Sequence, residues 1–165
     1  MEIETTKDSR MSSIIVLFDM QTSFFPKAIE GIQDIDAQKR LDTKANHVAW
    51  LAGSLVEQRY ELVNQFGIQA KQSAHDLFSN NKGIQDGMEY PSLESFKKDW
   101  DAITDSAREA LLNADAATLE KPIVMPGMTM TFYDLITFMI YREANCIGQI
   151  ALWRRLLGYT PMNYM

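Results

Sequence analysis

The segment Tyr141 to Arg155, YREANCIGQIALWRR, sets Arg142, Glu143, Asn145 and Cys146 close together inside an otherwise apolar stretch. On a helix, Arg142 and Cys146 stand at i and i+4, so a guanidinium lies directly beneath a thiol. The cation favours a thiolate, whereas apolar surroundings disfavour it. With His47 as a base, Cys146 would be a candidate nucleophile. That chemistry asks for an exposed, activated thiol, which the helical pattern does not offer. The plainer alternatives are that Cys146 is a small buried apolar residue and that His47 is a hydrogen-bonded, partly buried histidine.

These residues need helices to position them, and four long segments carry a helical period. The first runs from Ser12 to Phe25, with Ile14, Leu17, Phe18, Gln21, Phe24 and Phe25 on one face; Pro26 is expected to end or bend it. The second, from Thr43 to Phe66, lines up Val48, Leu51, Leu55, Leu62 and Phe66 and is stopped by Gly67, with His47 near its start. The chain then turns polar as far as Tyr90, leaving room for a short helix over Gln72 to Ser79. His75 falls in this polar stretch and reads as incidental. Pro91 and Ser92 open a third helix that repeats Leu93, Phe96, Trp100, Ile103, Ala107, Leu111 and Ala114. Between Asp115 and Met130, Pro122, Pro126 and Gly127 exclude continuous helix, and part of this connection can be extended. Thr131 and Asp134 have capping-box spacing, which starts a fourth helix that runs to Leu157 and stops at Gly158. The fold class is all-α, a single domain spanning 1–165.

If Phe132, Ile136, Met139, Ile140, Ile147 and Ile150 form the buried stripe of the fourth helix, Glu143 sits near its middle. Cys146 lies within the stripe and Arg142 at its edge. A buried carboxylate is costly unless it is paired or hydrogen-bonded, so an ion pair between helices is the default for Arg142 and Glu143. Neighbouring side chains on a helix point apart, so Arg142 is expected to find its carboxylate on another helix, with Asp19 and Glu57 the candidates. Trp50 and Trp153 read as core or interface aromatics, and the ten scattered methionines as flexible core filler.

Composition narrows the function. With 16 basic and 22 acidic residues the net charge is −6, and no basic patch interrupts it. A nucleic-acid backbone or an anionic membrane would be repelled. Cys146 is the single cysteine, so no intramolecular disulfide forms, which fits a reducing compartment. The apolar run Ile14 to Phe18 is far shorter than the ~20 residues of a membrane span. A cytoplasmic protein is the expectation.

The run DLITFMIYREANCIGQIALWRRLLG resembles the signature of the DinB-like family. That signature is written around a histidine, a glutamate, two variable positions, a second histidine, then Arg, Gly and Gln on the last helix of a four-helix bundle. NHVAWLAGSLVE is similar to the family's second helix, whose opening histidine supplies a third metal ligand. LEKPIVMPGMTMTFYDL and the closing LLGYTPMNYM resemble the loop before the last helix and the tail after it, so the likeness covers nearly the whole chain. It implies a bundle with long loops between helices 2 and 3 and between helices 3 and 4, and a homodimer.

Carried over by position, the family's three histidines fall on His47, Arg142 and Cys146, and only the first is kept. Arginine cannot lose its proton at neutral pH and repels a cation. Glu143, Gly148 and Gln149 match the pattern, while Asn145 and Ile147 replace a frequent histidine and arginine. The resemblance therefore implies a bundle that has lost its metal. It would serve as a binding or structural module, with His47, Arg142, Glu143, Cys146 and Gln149 as candidates to line a small-molecule cleft. The alternative is a metal-dependent transferase using a low-molecular-weight thiol, with zinc or nickel held by His47, Cys146 and a third side chain such as Glu143.

Overall fold

The computed structural model describes residues 5–165 and is mostly helical. The long helices are α1 (Met11–Ile29), α3 (Val48–Gln65), α5 (Leu93–Asn113) and α7 (Phe132–Leu156). Short helices α2 (Asp34–Ala37), α4 (His75–Phe78) and α6 (Ala116–Leu119) sit in the connections. Each long helix packs on two of the others: α1 on α5 and α7, and α3 on the same pair. One continuous apolar core results, with Phe18, Phe25, Leu55, Phe96, Trp100 and Phe132 fully or almost fully enclosed.

Local chemistry explains the boundaries. His47, Ser92 and Thr131 each accept a main-chain N–H from the first turn of α3, α5 and α7 in turn. At α7 the Asp134 carboxylate reciprocates on the Thr131 N–H, completing the expected capping box. Gly158, at φ +87°, follows the end of α7 in the left-handed conformation that favours glycine.

Two helix boundaries differ from those the sequence predicts. The first helix continues through Pro26 to Ile29. Proline removes the N–H that would bond the Thr22 carbonyl, but the Trp100 indole N–H lies 3.4 Å from that oxygen and answers it from α5. The second helix starts at Val48 rather than Thr43, because Leu41 and Asp42 take positive φ in the preceding turns. The 115–130 connection is extended in part, as expected, and forms an antiparallel hairpin of β1 (Pro122–Met125) and β2 (Met128–Thr131). The turn residues are Pro126 and Gly127, with Gly127 at φ +83°. Hydrophobic alternation gives no warning of this hairpin, since both strands lie largely on the surface.

The centre of the helical core is ionic. Glu143 of α7 receives two parallel hydrogen bonds from Arg59 of α3, at 2.9 and 3.0 Å, and both side chains are buried. Arg59 Nη1 donates to Thr22 Oγ1 of α1 and Thr104 Oγ1 of α5, each at 2.9 Å. The guanidinium carbon lies 3.3 Å from the Trp100 ring centroid and 3.9 Å from that of Phe18. All four long helices therefore meet at one side chain. Replacing Arg59 with Met should destabilise the fold by about 3–5 kcal/mol, because it strands a buried carboxylate. Adding Glu143→Leu should recover much of that loss, as read from urea denaturation midpoints.

Candidate functional site

A cleft of about 250 Å³ opens between α3 and α7. Trp50, Ser54, Glu57, Gln58 and Glu61 line it from α3, and Leu135, Phe138, Met139 and Arg142 from α7. Phe78, Asn81 and Lys82 close one end and Met125 of the hairpin reaches the other. Gly53 lets Phe78 close in: a Cβ there would collide with the rings of Phe78 and Phe96.

Arg142 is the one of the five sequence candidates that lines this cleft. Its expected carboxylate partner is replaced by neutral oxygens. Nη2 donates to Ser54 Oγ at 2.6 Å, and Nη1 to Gln58 Oε1 at 3.0 Å and the Ser54 carbonyl at 3.5 Å. Gln58 is itself fixed, since its amide donates to the Met139 carbonyl at 2.6 Å. The two carboxylates expected for Arg142 are engaged elsewhere, Asp19 with Arg108 and Glu57 with Gln72 and His75.

The other four candidates lie apart from this cleft. Glu143 is in the core with Arg59. Gln149 is exposed and bonds Asn145 on its own helix. Cys146 is buried, and burial pushes its thiol above the ordinary range; Arg142 opposes that shift and Glu143 adds to it. Of the two opposed tendencies read from sequence, burial outweighs the Arg142 charge, which disfavours the thiolate that nucleophilic attack needs.

His47 is buried at the start of α3, where its Nδ1 accepts the Trp50 main-chain N–H at 3.1 Å and its ring meets Tyr90 edge-on. Burial, aided by the Arg40 charge, holds its pKa below 6.5, so the ring is neutral with its proton on Nε2. A metal at Nε2 would require the proton to move to Nδ1 and would cost the cap. Among the described residues, no three His, Cys, Asp or Glu side chains converge in a way that could hold an ion. The donor set does not fit the metal that the resemblance implies.

His75 is not incidental. Its Nδ1 lies 2.5 Å from Glu57 Oε1, while Gln72 donates to Glu57 Oε2 at 2.7 Å and to the Gly53 carbonyl at 3.0 Å. The polar excursion is thereby clasped to α3. Glu61 stands at the exposed rim, its carboxyl held above the usual range chiefly by partial burial and then by neighbouring Glu57. Ser54, Glu57, Gln58 and Glu61 recur at threes and fours on an apolar helix. That polar stripe was the signal for this cleft.

No family model matches the chain, and a search of curated proteins finds no match.

Two measurements follow from the geometry. Because His47 stays neutral when folded but takes up a proton below about pH 6.5 when unfolded, it should lower stability progressively as pH falls through that value. In His47→Asn, which retains a capping side chain, the acid-induced fall in denaturation midpoint should be shallower than in the parent. Arg142→Met should cost only about 1–2 kcal/mol, since its lost partners are neutral groups beside a cleft rather than a stranded carboxylate. A loss of ~3–5 kcal/mol would instead mark a buried ion pair.

Proposed function

We propose that the chain is a DinB-like four-helix bundle whose metal position has been converted to a hydrogen-bonded network, and that it holds a small molecule in the α3/α7 cleft without a metal. The observation that carries this reading is the placement of Arg142. Where the family resemblance expects an imidazole, a guanidinium is fixed by Ser54 and Gln58 and faces the cleft. The chain order of four long helices, with a histidine opening α3 and a loop and hairpin before α7, supports the family reading. A thiol transferase using zinc or nickel finds less support, because His47 spends its free ring nitrogen on a cap and Cys146 is a buried thiol.

The same reading includes a homodimer. Val16, Leu17 and Met20 on α1 and Tyr141, Leu152 and Leu156 on α7 are 43–63% exposed on two helices that pack together. No helix among the described residues is long and apolar enough to cross a membrane. A second copy is the occupant this reading assigns to the apolar face, as the family resemblance implies, with Arg155 exposed beside Leu152 and Leu156. Sedimentation at micromolar concentration and ordinary salt should give a dimer mass, and Met20→Lys with Leu152→Lys should give a monomer.

Calorimetric titration with zinc and nickel tests the loss of the metal position. The parent should bind either ion weakly or not at all. Arg142→His combined with Cys146→His restores two imidazoles one helical turn apart, and it should bind more tightly and melt at a higher temperature with metal present. Tight binding by the parent would overturn the proposal and favour the transferase.

A further inference from the structure

The cleft carries opposite charges that are not paired directly with one another. Arg142 makes hydrogen bonds only to neutral oxygens and forms no ion pair among the described residues. Lys82, at the same cleft, gives its ammonium hydrogen to the main-chain carbonyl of Asp76 at 2.7 Å, again a neutral partner. Glu61 has no hydrogen bond or ion-pair partner among the described residues, although the Arg142 charge reaches it through space. Glu57 is occupied by Gln72 and His75. Two cations and one carboxylate are therefore left to act on whatever enters.

Apolar surface lies among them, from Trp50, Phe78, Leu135 and Phe138. The indole N–H of Trp50 is buried with no acceptor among the described residues. The volume, about 250 Å³, falls just below the roughly 300–1,000 Å³ of drug-sized sites. A molecule of amino-acid size fits that space.

Resting on the cleft reading above, we propose that the ligand is a small zwitterion with an apolar side chain, an α-amino acid of aromatic or branched aliphatic type. Its carboxylate would neutralise Arg142 and Lys82, its ammonium would neutralise Glu61, and its side chain would cover the aromatic wall. A simple carboxylate leaves Glu61 unanswered, and a simple amine leaves both cations so. A neutral apolar molecule would strip water from all three charges with no return. A polyphosphate meets too few cations and two carboxylates.

Three ligands with one phenyl body separate these cases: L-phenylalanine, 3-phenylpropionate and 2-phenylethylamine, titrated calorimetrically into the full chain. Phenylalanine should bind about tenfold or more tighter than either analogue, because each analogue forfeits one set of charge-assisted hydrogen bonds. Glu61→Gln, a change at an exposed position, should weaken phenylalanine toward the affinity of 3-phenylpropionate and leave the latter unweakened. Lys82→Gln should weaken both carboxylates and spare the amine. Equal or tighter binding of either analogue overturns the zwitterion class while leaving the cleft as a binding site. No binding of any of the three at millimolar concentration also overturns it; the metal-free reading stands or falls separately on the zinc and nickel titrations.

Discussion

The buried pair of Arg59 and Glu143 is the constraint around which the rest of this fold is arranged. A guanidinium with no exposed surface is tolerated only if its donors and its ring faces are satisfied. Here α7 supplies the carboxylate, α1 and α5 supply hydroxyls, and Trp100 and Phe18 cover the planar faces. Such a centre constrains geometry more than hydrophobic contact does, because sliding any one helix by a residue would break a bond at it. It also accounts for the glutamate that interrupts the apolar stripe of α7: Glu143 is in the core because its partner on α3 is there too.

Core charge and cleft charge are thereby separated along the same stretch of chain. Arg142 and Glu143 are adjacent in sequence, yet the turn of the helix sends one to the cleft and the other to the core. Glu143, taken up by Arg59, is no more available to a ligand than to a metal. Arg142 remains charged beside neutral oxygens, and α3 places a stripe of hydrogen-bonding side chains opposite it. The loop that carries His75 and Phe78 completes the enclosure, clasped by Glu57 and accommodated by the missing Cβ of Gly53.

Much of this was legible from residue order. The buried stripe of α7, its capping box, the cap at Ser92 and the stop at Gly158 are local matters of periodicity and first-turn chemistry, and they were read from their own neighbourhoods. What was not legible depended on residues far apart in the chain. Pro26 reads as a helix end until Trp100 is seen to answer the Thr22 carbonyl. Arg59 reads as one more polar residue until Glu143 lies against it. Assigning Arg142 a carboxylate assumed that charge seeks opposite charge, when Ser54 and Gln58 were placed to receive it. His75 reads as incidental until the loop that carries it folds onto Glu57.

The position that Arg142 occupies is either a hydrogen-bonded network or a metal centre. Elemental analysis of the protein, purified without chelators from cells supplied with zinc and nickel, addresses this directly. The network predicts far less than one bound ion per chain. One zinc or nickel per chain, retained through gel filtration and lost on mutation of His47 or Cys146, would contradict it.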